Sequence, residues 1–281
     1  MKFVAGGFLS SAFLLFNLLI SRTVSAATLC GRQTNQTLLY QTALVIATDA
    51  AAGLEATAFL QGYGQPFTFL PFAQNGTALP ALETNDTNGN SIGNYGLIVI
   101  VGLVTYDYGG NTGWASAITT DQWNTLYAYQ TKYNVRMIHL DGFPGSFPGA
   151  TVAPGPGGCC STEDQYVYLL NTSFVPTAGL KVVNLSTNGL WHYPAIITNT
   201  TTTTAFLEFA TNTEYNTTTI AGVIQNFGGR EQMVFFLDGG SWSLTTNYLG
   251  HVWFHWGYRG IYNGFRRVAL AMQSISRRVL R

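Results

Sequence analysis

The order of apolar runs predicts an α/β protein: a doubly wound, mostly parallel sheet with a small β-sandwich inserted late in the chain. Three observations carry that expectation. The runs 42–47 (TALVIA) and 96–103 (GLIVIVGL) are apolar at nearly every position, the pattern of a strand buried on both faces. Segments of helical length and composition alternate with them. Beyond residue 160 the pattern changes to short strand-like runs separated by Thr and Asn.

In chain order, 42–47 is the first strand, and Asp49 stands where it can cap the segment after it. Residues 50–61 are rich in Ala and Leu and predict a helix that Gly62 and Gly64 stop. Residues 67–70 read as a second strand, completing a βαβ opening. The stretch 71–94 is polar and rich in Gly, Asn and Thr, and reads as a loop. After the buried run 96–103, Thr119 or Thr120 caps a helix over 121–133, which Asn134 ends. Residues 135–140 (VRMIHL) form the next strand. Four prolines, Pro144, Pro148, Pro154 and Pro156, then mark a boundary or a long functional loop over 141–160.

Five short runs come next, at 166–170, 180–185, 192–197, 205–209 and 220–224, and their spacing predicts the sandwich. Residues 232–237 (QMVFFL) return to a fully buried strand, and 244–262 predicts a helix apolar on nearly every face. The expected division is therefore a leader at 1–26, an α/β domain begun at 27–155, a β-sandwich-like insert at 156–229, a completing strand and helix at 230–268, and a divergent basic tail at 269–281.

Lys2, the apolar run 3–20, a polar shoulder and Val24-Ser25-Ala26 follow the order of a cleaved secretory signal, so the mature chain is expected outside the cell or at the cell wall. No later run is long enough to span a bilayer. N-x-S/T sequons at Asn35, Asn75, Asn85, Asn171, Asn184, Asn199 and Asn216 fit that route. Only 9% of the residues are charged, so solubility rests on Thr, Asn, Gln, Ser and attached sugar. With 13 basic and 13 acidic residues the formal charge is zero, which argues against nucleic acid or anionic lipid as a partner. Six arginines, from Arg259 to Arg281, crowd the end and read as a frayed basic tail. Cys30, Cys159 and Cys160 are disulfide candidates in an oxidising compartment; Cys30 pairing with either of the other two leaves one thiol over.

No catalytic constellation assembles. His251 and His255 share a helix face, but Val252 stands where an H-E-x-x-H site has Glu, and the aromatic neighbours Trp253, Phe254 and Trp256 point to packing. Asp49 and Asp141 each follow a strand, where parallel sheets gather functional groups, and both serve equally well as caps. The segment 145–149 (GSFPG) lacks the central Ser of a nucleophile elbow. Neither metal nor cofactor is called for. The aromatic residues are more informative. Tyr106 and Tyr108 lie in a loop after a strand, and Trp191, His192 and Tyr193 sit together at the edge of a β-rich run. Sugars bind by laying their C–H faces on aromatic rings while polar side chains hold the hydroxyls, so these five residues are the candidate carbohydrate contacts, set against the ordinary burial of Trp and Tyr.

Several longer segments carry more information than any short motif. ALVIATD (43–49), YGQPFTFL (63–70), TYDYGG (105–110), TTDQWNTLYAYQTKYNVRM (119–137), GGCC (157–160), GLWHYPAIITNTT (189–201), GREQMVFF (229–236) and NYLGHVWFHWGYRGIYNGFRRV (247–268) occur in this order. Together they resemble the N-terminal half of the secreted fungal galactosaminogalactan deacetylases. The resemblance implies a non-catalytic carbohydrate-binding region that, in the family, precedes a metal-dependent deacetylase domain. In that family the segment after Arg-Arg-Val leads into an acidic metal-binding motif. Here Arg266-Arg267-Val268 is followed by ALAMQSISRRVLR, with neither an Asp-Asp pair nor a His cluster, so no catalytic residue carries over.

The expectation is a secreted protein that binds hexosamine-containing exopolysaccharide or cell wall, with no catalysis in this chain. The alternatives are an incomplete gene model of an active deacetylase and a secreted structural or interaction protein.

Overall fold

The computed structural model describes residues 38–145, 147–155, 164–170, 172–175, 180 and 184–259, all within one unit spanning 31–281. The expected leader, the basic tail, all three cysteines, Asn35 and Asn171 lie outside the described residues.

Five parallel strands make the centre: β2 (Ala43–Ala47), β3 (Phe67–Pro71), β6 (Leu97–Val101), β9 (Arg136–Leu140) and β16 (Arg230–Phe235), in the spatial order β3-β2-β6-β9-β16. Their side chains alternate between two cores, which is why β2 and β6 are apolar throughout. Ala43, Val45, Leu97, Val99, Ile138 and Phe235 face a core shared with helices α1 (Leu54–Gly62) and α3 (Leu244–Gly257). Leu44, Ile46, Ile98, Ile100 and Met137 face a second core shared with α2 (Thr120–Tyr133). The helices α1 and α3 approach so closely that a Cβ on Gly250 would stand 2.2 Å from the Phe59 ring.

Local chemistry explains α2 fully. Thr119 accepts from the Gln122 amide at 3.3 Å while the Gln122 side chain accepts from the Thr119 amide at 3.0 Å, a reciprocal capping box. Asn134 closes the helix in the left-handed region at φ 52°. The helix α1 starts four residues later than expected. The Asp49 carboxylate accepts from the amides of Ala51 and Ala52 and holds a turn there, and Gly53 is the N-cap.

The polar stretch expected as one loop contains β4 (Glu83–Asn85) and β5 (Ser91–Gly93), which form a three-stranded sheet with β1 (Leu38–Leu39). A hairpin, β7 (Thr105–Asp107) and β8 (Trp114–Ser116), comes after the 3-10 turn Gly102–Val104.

The late strands are arranged differently from the expected sandwich. Among the described residues, β11 (Tyr166–Leu169), β12 (Asn184–Ser186), β14 (Thr203–Phe209) and β15 (Thr219–Phe227) continue the central sheet edge to edge and antiparallel, in the order β16-β15-β14-β11-β12. The strands β10 (Ala150–Val152) and β13 (Ala195–Ile197) branch from the start of β15 over a small core of Ala150, Ala195, Val223, Val234 and Phe236. The break drawn at 229/230 falls inside the β15–β16 hairpin, whose two-residue turn is Gly228-Gly229 with φ of 65° and 99°. Both turn residues need positive φ for the strand twists to match, and glycine takes it without strain. That hairpin pairs the stretch assigned to the insert with the strand assigned to the α/β domain over six residue pairs.

Candidate functional site

Loops at the carboxyl ends of parallel strands gather at one edge of an α/β sheet. Asp141 leaves β9 there, at φ 50°, and Asp238 follows β16. The Gly142 amide donates to the Phe235 carbonyl at 2.8 Å and joins the two strand ends. The segment 191–193 runs beside them: the Asp238 amide donates to the Trp191 carbonyl at 2.7 Å, and the Tyr193 amide to the Phe236 carbonyl at 2.8 Å. The Tyr193 hydroxyl lies near the Asp141 carboxylate. From the first turn of α1, buried Glu55 reaches the same place; its Oε2 occupies the space a Cβ on Gly239 would fill.

Three carboxyls thus meet in a poorly solvated corner. Burial pushes Glu55 well above its ordinary value, and the neighbouring charges of Asp141 and Asp238 push it further. Burial, then Asp238, lifts Asp141 to about 7, while the Tyr193 hydroxyl opposes the shift. Burial raises Asp238 as well, against the Gly239 amide that donates to it at 2.7 Å. The Tyr193 hydroxyl is raised by burial and by Asp141. Oε1 of Glu55 and Oδ1 of Asp141 are buried with no hydrogen-bond partner.

An aromatic rim surrounds this corner. Trp191 is 53% exposed, and Trp242, in the turn that leads into α3, is 67% exposed. The Trp242 indole lies against two glycines: a Cβ on Gly189 would stand 2.9 Å from the ring, and one on Gly240 would stand 2.5 Å from Nε1. The ring is therefore held in place while most of it faces solvent. Exposed Phe143 meets Tyr193 edge to face at 5.5 Å.

The structure sorts the five candidate contacts. Trp191 is on this rim, and Tyr193 is turned inward to Asp141. His192 is not a surface group: it is buried, its Nδ1 within 3.0 Å of the Leu190 carbonyl and its Nε2 within 2.9 Å of the Gln165 side-chain oxygen. Strand alternation explains it, since its two neighbours project the other way. Tyr106 and Tyr108 lie after β6, their hydroxyls donating to the carbonyls of Phe72 at 2.9 Å and Gln74 at 2.7 Å; the hairpin that carries Tyr106 also presents Trp114, 74% exposed. Asp49 holds its turn at the surface. His251 packs edge to face on Phe59, and its Nδ1 hydrogen-bonds the Tyr63 hydroxyl. Burial and neighbouring His255 lower His251 to about 4, as expected of a packed ring.

Sequence reasoning missed Trp242, Phe143, Glu55 and Asp238. Two of these carried a readable signal. Asp238 follows a buried strand just as Asp49 and Asp141 do, and Trp242 sits in GGSWS, a turn of small residues where a large ring has little to bury it.

Solvent-facing indoles beside carboxylates have the chemistry of the saccharide-binding class of surface, because pyranose C–H faces stack on such rings and acceptors take the hydroxyl protons. The comparisons agree with that class. The model of the Agd3 CBM87 family matches residues 39–256, and the chain belongs to that family of carbohydrate-binding modules. A crystal structure of Agd3, described as a novel carbohydrate deacetylase, is 49% identical with a TM-score of 0.73, over 79% of this chain and 33% of that one. The chain thus spans about a third of that relative's length. A β-galactosidase from Rahnella sp. R3 aligns over 76% of this chain and 31% of its own at 8% identity and TM-score 0.45. PurLQS from Thermotoga maritima aligns over 76% of this chain and 98% of its own at 10% identity and TM-score 0.43. No curated protein matches.

Proposed function

We propose that this chain is the polysaccharide-binding region of an Agd3-like protein, and that it holds hexosamine-containing exopolysaccharide or cell wall at the carboxyl edge of its sheet. The observation that carries the reading is the pair of exposed indoles, Trp191 and Trp242, the second held against Gly189 and Gly240, beside Asp141 and Asp238. Trp114 with Tyr106 and Tyr108 extends the aromatic surface past the end of β6. In this reading the chain supplies attachment, and deacetylation belongs to the relatives' remaining length.

The same proposal places the protein outside the cell. The leader-like start and the sequons motivate it, and all five described sequon residues, Asn75, Asn85, Asn184, Asn199 and Asn216, are exposed. Among the described residues no helix is long and apolar enough to cross a membrane. Affinity electrophoresis tests the binding reading: migration of the folded chain slows in a gel cast with a galactosamine-containing polymer and not in one cast with an uncharged glucan. Equal mobility in the two gels counts against it.

A further inference from the structure

Glu55, Asp141 and Asp238 are not explained by stacking alone. Carboxyls without a counter-charge are costly in a desolvated corner, because burial disfavours the ionised form. The ion pairs among the described residues join Lys132 to Glu83 and Arg136 and Arg259 to Glu231, and none reaches these three. The charged groups nearest Glu55 are Asp141 beyond β9 and Asp238 beyond β16, and the Thr246 hydroxyl of α3, which accepts from the Gly240 amide at 3.0 Å, lines the same pocket. None of these is a cation.

A small, largely apolar pocket opens beside Glu55 and Asp238, between α1, α3 and the strand ends, with Gly239, Thr246, Phe59 and Trp253 also in its wall. Glu55 is 9% exposed, and its Oε1 has no partner. Oδ1 of Asp141 is likewise unpartnered. The corner thus holds acceptors in excess and lacks a positively charged donor.

A divalent metal does not suit it, since the described residues hold no group of three or more His, Cys, Asp or Glu placed to bind one ion. A primary ammonium suits it better. It carries one positive charge and three N–H donors with no acceptor, the complement of acceptor-only carboxylates. The aromatic rim adds that the ammonium is borne on a ring.

We propose that Glu55 and Asp238, which share the wall of this pocket, with the charge of Asp141 behind them, form a seat for the free amine of an amino sugar whose ring rests on Trp242 or Trp191, so that the site selects de-N-acetylated over N-acetylated units. The selection follows from chemistry: an N-acetyl group is neutral and has a single N–H, so it supplies no charge to offset carboxylates in a desolvated corner. This inference rests on the binding function proposed above and specifies the chemical form of its ligand.

The test is calorimetry at neutral pH on the full chain with two probes: a hexosamine oligosaccharide bearing free amines, and the same oligosaccharide fully N-acetylated. The free-amine probe is expected to bind roughly tenfold tighter or more, the range of a charge-assisted hydrogen bond. Asp141→Asn with Asp238→Asn removes that preference, weakening the free-amine probe far more than the acetylated one. Glu55→Gln provides a second variant should the pair fail to fold. Equal or tighter binding of the acetylated probe overturns the seat, as does a preference that survives both sets of substitutions. If both probes bind equally and Trp242→Ala weakens both, the seat falls and the binding function stands. If neither binds, both fall.

Discussion

Asp141→Asn should stabilise the protein at pH 8 and leave it nearly unchanged at pH 4. The folded state raises this carboxyl from 3.8 to about 7, chiefly through burial and Asp238. Between those values the folded chain keeps a proton that the unfolded chain has released, so folding stability falls as pH rises through this window and stays lower above it. A shift of about 3 units corresponds to at most about 4 kcal/mol at 1.36 kcal/mol per unit, shared with Asp238 through their mutual repulsion. Asparagine keeps the size and shape of the side chain and tolerates the left-handed backbone at φ 50°, so the substitution removes charge with little strain. Glu55, Asp238 and Tyr193 face the group and remain in place. Urea unfolding followed by tryptophan fluorescence at pH 4, 6 and 8 is the assay. The wild-type midpoint should drop with pH more steeply than that of the variant, and the variant should be the more stable by a few kcal/mol at pH 8. A variant equal to or weaker than wild type at pH 8 would refute the idea that this carboxylate opposes the fold, and with it the reason for seeking a cation there.

Three other outcomes are expected from the same structure. Thr119→Ala removes one half of the capping box and should cost about 1 kcal/mol in unfolding free energy without changing polymer binding. Gly189→Ala forces a Cβ toward the Trp242 ring at a φ of 75°; chemical denaturation should show a loss of about 1 kcal/mol or more, and polymer affinity should fall because the indole is displaced. Peptide N-glycosidase treatment of protein from a secreting eukaryotic host should lower its mass in steps and leave deamidation marks at some or all of Asn75, Asn85, Asn184, Asn199 and Asn216; unmodified peptides at all five sites would remove glycan from the account of solubility.

How much of the fold was legible in the sequence depended on how local the determining physics was. The helix α2 was readable because Thr119, Gln122 and Asn134 fix both ends within the segment itself. The parallel strands were readable because burial on both faces writes an unbroken apolar run, as at Leu97–Val101. The start of α1 was misplaced because the Asp49 carboxylate serves a turn rather than the helix, and both uses look alike in sequence. The three-stranded sheet of β1, β4 and β5 was hidden because strands of two or three residues are specified by distant partners rather than by their own pattern. The late strands were readable one by one, while their membership of the central sheet was not, since Gly228-Gly229 reads equally well as a turn or as a boundary.

The site obeyed the same rule. The aromatic residues near 191 were readable as a cluster, while the alternation that buries His192 and exposes Trp191 depends on the pairing of His192 with Leu237, a partner distant in the chain. Glu55 carried no signal: an acidic residue in the first turn of a helix is favourable at any surface, and only the meeting of α1 with the ends of β9 and β16 makes it unusual.

The central claim is that the aromatic edge formed by Trp191 and Trp242 holds polysaccharide. Co-sedimentation with an insoluble galactosamine-containing polymer, comparing the wild-type chain with the Trp191→Ala, Trp242→Ala double variant, tests it most directly. The account predicts that wild type enters the pellet while the folded double variant stays in the supernatant. Wild type remaining in the supernatant, or a double variant that pellets equally well, would contradict it.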